Sequence, residues 1–143
     1  MEIKDLRIGN IVWHLTTNNS EDVYYRYSKV VRLFDSNIVE LKEYYSKDGE
    51  NMVFRKMYEA KKIQGFPLTS RILKNNGFAV NGKGLTFSEC NSLMKDGKET
   101  GLFCSFEKVY IPLAGTLRIK AEYVHTFQNI LNLMNLNDEI KIE

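Results

Sequence analysis

The chain has 143 residues and a mass of 16.7 kDa, with 43% of its residues hydrophobic and 27% charged. This length and composition are typical of one globular domain whose core needs neither a metal nor a disulfide to hold it. Its 20 Lys and Arg against 18 Asp and Glu give a net charge of +2, which is too near balance to indicate a nucleic-acid or membrane-surface protein by charge alone.

Residues 1–66 predict a small, strongly curved antiparallel sheet. Apolar and β-branched runs are separated by polar turns such as Asp48-Gly49. The predicted strands cover residues 10–15, 22–34, 38–45 and 52–58. Residues 52–63 also contain good helix formers, so a helix remains open for that segment. The sheet has the size of an SH3-like partial barrel.

Residues 67–143 predict a mixture of helices and strands. Thr69 is a suitable N-cap for a short helix, and Gly77 is a suitable left-handed residue after its end. Further strands are expected over residues 78–80, 85–87, 101–106, 109–113, 117–120 and 139–143, with a helical turn over residues 88–94. Pro112 indicates that its strand lies at a sheet edge.

The longest helix is predicted over residues 121–134. Val124, Phe127 and Leu131 recur at steps of three and four residues and form one apolar stripe. The opposite face carries four polar residues, which are His125, Gln128, Asn129 and Asn132. Such groups hydrogen-bond a partner or ligand, form a solvated face, or cap neighbouring strands, and they are the candidate partner-binding site.

Together these elements predict an α+β protein with an N-terminal curved antiparallel sheet, a short helix, further antiparallel strands and a C-terminal amphipathic helix. We expect one compact domain, with a β-rich lobe over residues 1–66 and an α+β lobe over residues 67–143. Each lobe alone has about 70 residues and would be marginally stable, which favours one body over two independent domains.

Three short segments occur in order along the chain. Residues 6–10 are LRIGN, residues 67–69 are PLT, and residues 123–129 are YVHTFQN. In this order they resemble a family of small proteins, encoded by Bacteroidales genomes, prophages and phages, in which the third segment is usually YVHQLQN. The resemblance implies no reaction. It implies a mobile-element origin, in which small intracellular proteins often bind host or phage machinery.

Cysteine usage and the first residues indicate the compartment. Cys90 and Cys104 are widely spaced and form no Cys-x-x-Cys pair, which is typical of reduced thiols, and a single disulfide between them stays open as the alternative. The N-terminus carries acids where a signal peptide needs a basic start, and no apolar run approaches the ~18 residues of a membrane span. We therefore expect no membrane association and a location in the cytoplasm of a bacterial host cell.

An aromatic and basic segment of the second predicted strand is the candidate nucleic-acid site. Its residues are Tyr25, Arg26, Tyr27, Lys29 and Arg32. Alternate rings on one sheet face can stack bases while the cations meet phosphates. The alternative is ordinary aromatic packing between neighbouring strands.

The sequence carries no motif for catalysis or metal binding. The His and Cys residues of the chain are His14, His125, Cys90 and Cys104, and no two of them have metal-ligand spacing. We expect a protein without cofactor, metal or enzymatic activity that binds a protein partner stoichiometrically, as a host-defence inhibitor or a phage assembly component. The alternatives are a nucleic-acid-binding module and a small enzyme whose Cys and His the fold brings together. The sequence leaves the oligomeric state open.

Overall fold

A computed structural model describes residues 1–14, 23–80, 91–105, 108–112 and 118–142. In these residues the chain forms ten strands and two α-helices, and the strands make two antiparallel sheets. The fold is α+β and has a helix near its C-terminal end, as the sequence predicts. The chain divides into two compact units, Met1–Phe66 and Pro67–Glu143.

The first unit is a five-stranded antiparallel sheet that curls into a half-barrel. Its strands are β1 (Ile11–His14), β2 (Val23–Phe34), β3 (Ile38–Lys47), β4 (Glu50–Glu59) and β5 (Ile63–Gly65). The strand order is β4-β3-β2-β1-β5, and a 3₁₀ turn, Ala60–Lys62, joins β4 to β5. β4 is a strand and not the alternative helix, because all 10 of its residues pair in register with β3.

The core of the first unit lies on one face of this sheet, which we call the inner face. The buried side chains of this core are Leu6, Val12, Val30, Val39, Leu41, Ala60 and Ile63. β2 has two register shifts, between Tyr25 and Tyr27 and between Val30 and Arg32. Such bulges bend a strand and increase its twist, so they allow β2 to follow the curvature of the half-barrel.

The segment LRIGN forms the turn that enters β1. Asn10 Oδ1 accepts a hydrogen bond from Arg7 N at 2.7 Å, and Gly9 has a φ of 92°. Gly9 N donates to Val30 O at 2.8 Å, which fixes the turn against β2. The residues Gly9 and Asn10 of LRIGN are therefore explained by the backbone turn that they form.

The second unit is another five-stranded antiparallel sheet, with two helices. Its elements are α1 (Ser70–Asn75), β6 (Phe78–Val80), β7 (Asn91–Lys95), β8 (Lys98–Ser105), β9 (Lys108–Pro112), β10 (Arg118–Ala121) and α2 (Val124–Leu133). The strand order is β10-β9-β8-β7-β6. Thr69 Oγ1 accepts from Ile72 N at 3.2 Å and Gly77 has a φ of 83°, which confirms the predicted cap and stop of α1.

Two predictions in the second unit are wrong: the helical turn over residues 88–94 and the edge strand at Pro112. Residues 91–94 belong to β7 and not to a helical turn, because Asp96 and Gly97 have positive φ and turn the chain so that β7 pairs with β8. Pro112 ends a strand that lies between β8 and β10, so it is not in an edge strand. Pairing between β8 and β9 runs only from Lys108 to Tyr110, so proline at the strand end does not interrupt it. Residues 85–87 lie outside the described residues.

The predicted C-terminal strand is also absent over residues 139–142. Asn76 holds this segment instead: its Oδ1 accepts from Lys141 N at 2.8 Å, and its Nδ2 donates to Lys141 O at 2.7 Å. The backbone of Lys141 therefore bonds to the Asn76 side chain and not to a neighbouring strand, which the alternating sequence had suggested.

Candidate functional site

The α2 face predicted to bind a partner is only partly open. His125 and Gln128 are buried, Asn129 is half-buried and Asn132 is exposed. Gln128 Nε2 donates to Asp138 O at 3.1 Å, so this side chain holds the segment that follows α2. The expectation of an open polar face is wrong for His125 and Gln128, because the buried arc of α2 is wider than its apolar stripe. Binding through Asn129 and Asn132 stays a prediction.

The residues predicted to bind nucleic acid are divided between the two faces of the first sheet. A register shift separates Tyr25 from Tyr27, so Tyr25 pairs with Tyr45 on the inner face and Tyr27 pairs with Tyr44 on the outer face. The rings of Tyr27 and Tyr44 stack with centroids 4.6 Å apart. The expectation of alternate rings on one face is therefore wrong, because the bulge reverses the alternation.

Three cations form a row on the outer face. Lys29 of β2 lies opposite Lys42 of β3, and Lys42 lies opposite Arg55 of β4. We call these three residues the basic row. No ion pair to any of them is present in the part of the chain that the structure describes. Like charges directly opposite each other destabilise a sheet, so an anion bound here would relieve the repulsion.

The two arginines predicted for the same site have other contacts. Arg26 Nη1 donates to Asn51 Oδ1 at 3.1 Å. Arg32 Nε lies 3.6 Å from a carboxylate oxygen of Glu40. Of the predicted cations, only Lys29 belongs to the basic row, and the sequence prediction did not include the other two members of that row.

A buried carboxylate lies on the inner face of β3. Glu43 is completely buried. Tyr45 Oη donates to Glu43 Oε2 at 2.6 Å, and Tyr58 Oη donates to Glu43 Oε1. Each carboxylate oxygen therefore has a hydroxyl donor, which is what a charge away from water requires.

Three further residues extend this polar group, and we call all six the Glu43 cluster. Tyr25 Oη lies 2.6 Å from Ser28 Oγ and accepts from His14 N at 3.0 Å. The His14 and Tyr58 rings are 3.8 Å apart between centroids. The cluster therefore joins β1, β2, β3 and β4 through side chains that are far apart in the sequence.

Burial shifts the pKa values of the three tyrosines and of His14 in the Glu43 cluster. It raises the pKa of Tyr25 to about 12, and together with the hydrogen bonds to Glu43 it raises the pKa values of Tyr45 and Tyr58. Burial also lowers the pKa of His14, against the attraction of Glu43 and with the help of Lys56 and Lys62. The tyrosines therefore remain hydroxyl donors at neutral pH, and the cluster is built to hold the half-barrel together.

β4 is an edge strand that is exposed along its length. Among the described strands, only β3 pairs with it. Val53 is 45% exposed, Phe54 43% and Met57 66%. The strand has no register shift against β3, so its free side is regular as well as long. Folded proteins usually protect such an edge, because it can pair with the strand of another chain.

Alternate backbone groups of β4 point away from the sheet. Ala60 N donates to Asn37 O at 2.8 Å, and this pair continues the register in which Glu59 lies opposite Ile38. Hydrogen-bonded and non-hydrogen-bonded pairs alternate in an antiparallel ladder. Even-numbered residues therefore direct their N–H and C=O groups to β3, and odd-numbered residues from 51 to 59 direct theirs outwards. We call these odd-numbered backbone groups the free edge of β4.

The sequence prediction included neither the Glu43 cluster nor the free edge of β4. A signal for the second was present, because residues 50–59 place apolar and charged residues on both faces. A strand inside a sheet with one wet face shows a clean alternation instead. Tyr45 lies two residues from Glu43 on the same face of β3, but only strand pairing brings Tyr58 of β4 to it.

Comparisons of the chain with protein-family models, with curated proteins and with solved structures find no match. Within the described ranges, no group of three or more His, Cys, Asp or Glu side chains is placed to hold a metal ion. No helix of these ranges is long and apolar enough to cross a membrane. Inference about function therefore rests on the surfaces described above.

Proposed function

We propose that the protein acts by binding another protein, and that it accepts an extended strand of this partner along the free edge of β4. The observation that carries the proposal is that β4 lies at the end of the sheet with eight of its ten residues exposed. Strand addition gains main-chain hydrogen bonds in series, and side chains on the two faces add specificity. Val53, Phe54 and Met57 offer the apolar contacts.

We propose that the frame of this site is a small SH3-like barrel. The supporting observations are five antiparallel strands in the order β4-β3-β2-β1-β5 and the 3₁₀ turn that joins β4 to β5. Small barrels of this kind reduce their edges by closure. A long unpaired edge on β4 of such a barrel therefore favours pairing with a strand of another chain.

A cytoplasmic accessory role in a phage or other mobile element is part of the same proposal. Its support is the ordered occurrence of LRIGN, PLT and YVHTFQN. The first forms the turn into β1, the second caps α1, and the third begins α2. These segments support a shared fold, and the binding surface is assigned to other residues.

A substitution at residue 53 tests the proposed strand addition. Val53→Pro removes an outward N–H and no hydrogen bond to β3, whereas Val53→Thr keeps the N–H and the branched shape. Tagged wild-type and variant proteins would capture partners from a nuclease-treated lysate of the bacterial host, after thermal melting has shown that each variant is folded. We expect one stoichiometric protein on the wild type and on Val53→Thr that is lost on Val53→Pro. Equal capture by all three would contradict strand addition at β4.

Nucleic-acid binding through the basic row is a second candidate. It is favoured by the alignment of Lys29, Lys42 and Arg55 without ion pairs in the described residues. Lys42→Ala and Arg55→Ala should each weaken binding to single-stranded DNA or RNA and reduce its salt dependence, since phosphate contacts release counterions. Lys61→Ala, which removes a cation paired with Glu59, is the control. Absent or salt-insensitive binding by the wild type would dispose of this candidate.

A further inference from the structure

We infer that the strand accepted by β4 is β4 of a second copy of this chain, in a two-fold symmetric dimer whose axis passes through Val53. The inference rests on the proposed function, because it uses the same free edge, and it names the partner strand. Edge-to-edge pairing joins the two five-stranded sheets of the first units into one.

Backbone geometry limits the register of such a dimer. The outward N–H and C=O groups belong to odd-numbered residues of β4. Two antiparallel copies form hydrogen bonds only when odd-numbered residues face odd-numbered residues. The two-fold axis must therefore pass through a residue and not between two neighbours.

Charge selects among the registers that remain. An axis at Arg55 or at Lys56 would place that cation opposite its own copy, which destabilises the pair. An axis at Val53 instead places Glu50 of each chain opposite Lys56 of the other, so two opposite-charge contacts form. An axis at Phe54 would place Glu50 opposite Tyr58 and not opposite a cation. An axis at Met52 or at Met57 would pair only five residues of each β4, against seven for the Val53 axis.

Glu50 and Lys56 are available for these contacts. Both are exposed, and both lie on the same face of β4 because they are six residues apart in the strand. In the described residues of one chain, neither takes part in an ion pair. A symmetric second copy is thus the partner whose charge pattern matches this strand.

The same register brings apolar side chains of the two strands together. Val53 lies against its own copy on the outer face. On the inner face, Met52 of each chain lies opposite Phe54 of the other. The pairing therefore covers apolar surface on both faces of the joined sheet.

A charge exchange tests the register. Sedimentation equilibrium of the full chain should show a concentration-dependent species of twice 16.7 kDa. Glu50→Lys or Lys56→Glu alone should weaken dimerisation about tenfold, since each turns two attractive contacts into repulsive ones. The double variant should restore wild-type affinity. A monomer at every concentration, or a dimer whose affinity is unchanged in the single variants, would overturn the inference.

A cysteine at the axis gives a second, independent test. Val53→Cys places two thiols on facing residues about 5.5 Å apart between Cα atoms, within reach of a disulfide. Mild oxidation should give a covalent dimer on a non-reducing gel, and Arg55→Cys, which is displaced from the axis, should give none. Equal cross-linking of the two variants would overturn the Val53 register.

The dimer and the proposed function fail in distinguishable ways. A monomeric protein that captures a partner with Val53→Thr but not with Val53→Pro would retain strand addition and overturn the dimer. If the double charge variant regains dimer affinity, and Val53→Pro captures other proteins as well as the wild type does, the dimer is supported. Strand addition by a different protein at β4 is then contradicted.

Discussion

At the scale of single residues, Glu43 shows how the half-barrel tolerates a charge in its interior. Removing a carboxylate from water costs several kcal/mol unless its oxygens are satisfied. Tyr45 and Tyr58 provide one hydroxyl for each oxygen, from β3 itself and from β4. The bond from Tyr58 also links the edge strand to the interior, so Glu43 helps to hold β4 in place.

Glu43→Gln should destabilise the protein although it keeps the size of the side chain. The amide NH2 can only donate, so the tyrosine hydroxyl that now donates to one Glu43 oxygen would lose its acceptor, and an unsatisfied buried group costs about 1–3 kcal/mol. Urea unfolding would measure the change, with Glu59→Gln as the exposed control. Tyr58→Phe should weaken the protein less after Glu43→Gln than in the wild type, because the two share one hydrogen bond. Wild-type stability of Glu43→Gln would contradict the assigned contacts.

The Glu43 cluster also predicts how stability changes with pH. The lowered pKa of His14 means that the unfolded chain binds a proton more readily, so stability should fall as the pH drops below about 6.5. The raised pKa of Tyr25 acts in the opposite direction, so stability should be lost as the pH rises from about 10 towards 12. Denaturant midpoints across this range test both slopes. His14→Gln should flatten the acidic slope only, and an unchanged acidic slope would exclude His14 as its source.

At the scale of elements, the two backbone edges of β4 differ in their hydrogen bonding. Its even-numbered residues bond to β3 and its odd-numbered residues form the free edge. Neighbouring residues of one strand should therefore respond differently to the same substitution.

Arg55→Pro and Lys56→Pro are a matched pair for this difference. Both residues are exposed and cationic, but only Lys56 donates its N–H to β3. Lys56→Pro should cost about 2 kcal/mol more of folding free energy than Arg55→Pro, because it leaves a ladder carbonyl without a donor. Thermal or urea unfolding measures the difference. Equal losses would show that the free edge has been assigned to the wrong residues.

The elements also show what the sequence could and could not predict. β2, β3 and α2 carry several periods of their pattern, and the cap of α1 needs only Thr69 and its neighbours, so local rules found them. β5 has three residues, too few for a period to be visible. The bulge that sends Tyr25 and Tyr27 to opposite faces, and the pairing that brings Tyr58 to Glu43, arise from contacts across strands. A local pattern contains no information about such contacts.

At the scale of the whole molecule, each unit has about 70 residues, a size at which a single core is marginally stable. The expectation of one domain therefore means that the full chain unfolds as one body. Differential scanning calorimetry should show a single transition whose calorimetric and van't Hoff enthalpies agree. Two separate transitions would show that the units Met1–Phe66 and Pro67–Glu143 are independent domains.

The most direct test of strand addition at β4 is residue-resolved amide hydrogen exchange by NMR. In dilute protein, the amides of residues 52, 54 and 56 should exchange slowly and those of 51, 53 and 55 rapidly, because only the first group is hydrogen-bonded to β3. When the partner strand binds, or when the concentration is raised so that two copies pair, the second group should become slow as well. Rapid exchange of residues 51, 53 and 55 under every condition would contradict a binding role for the free edge of β4.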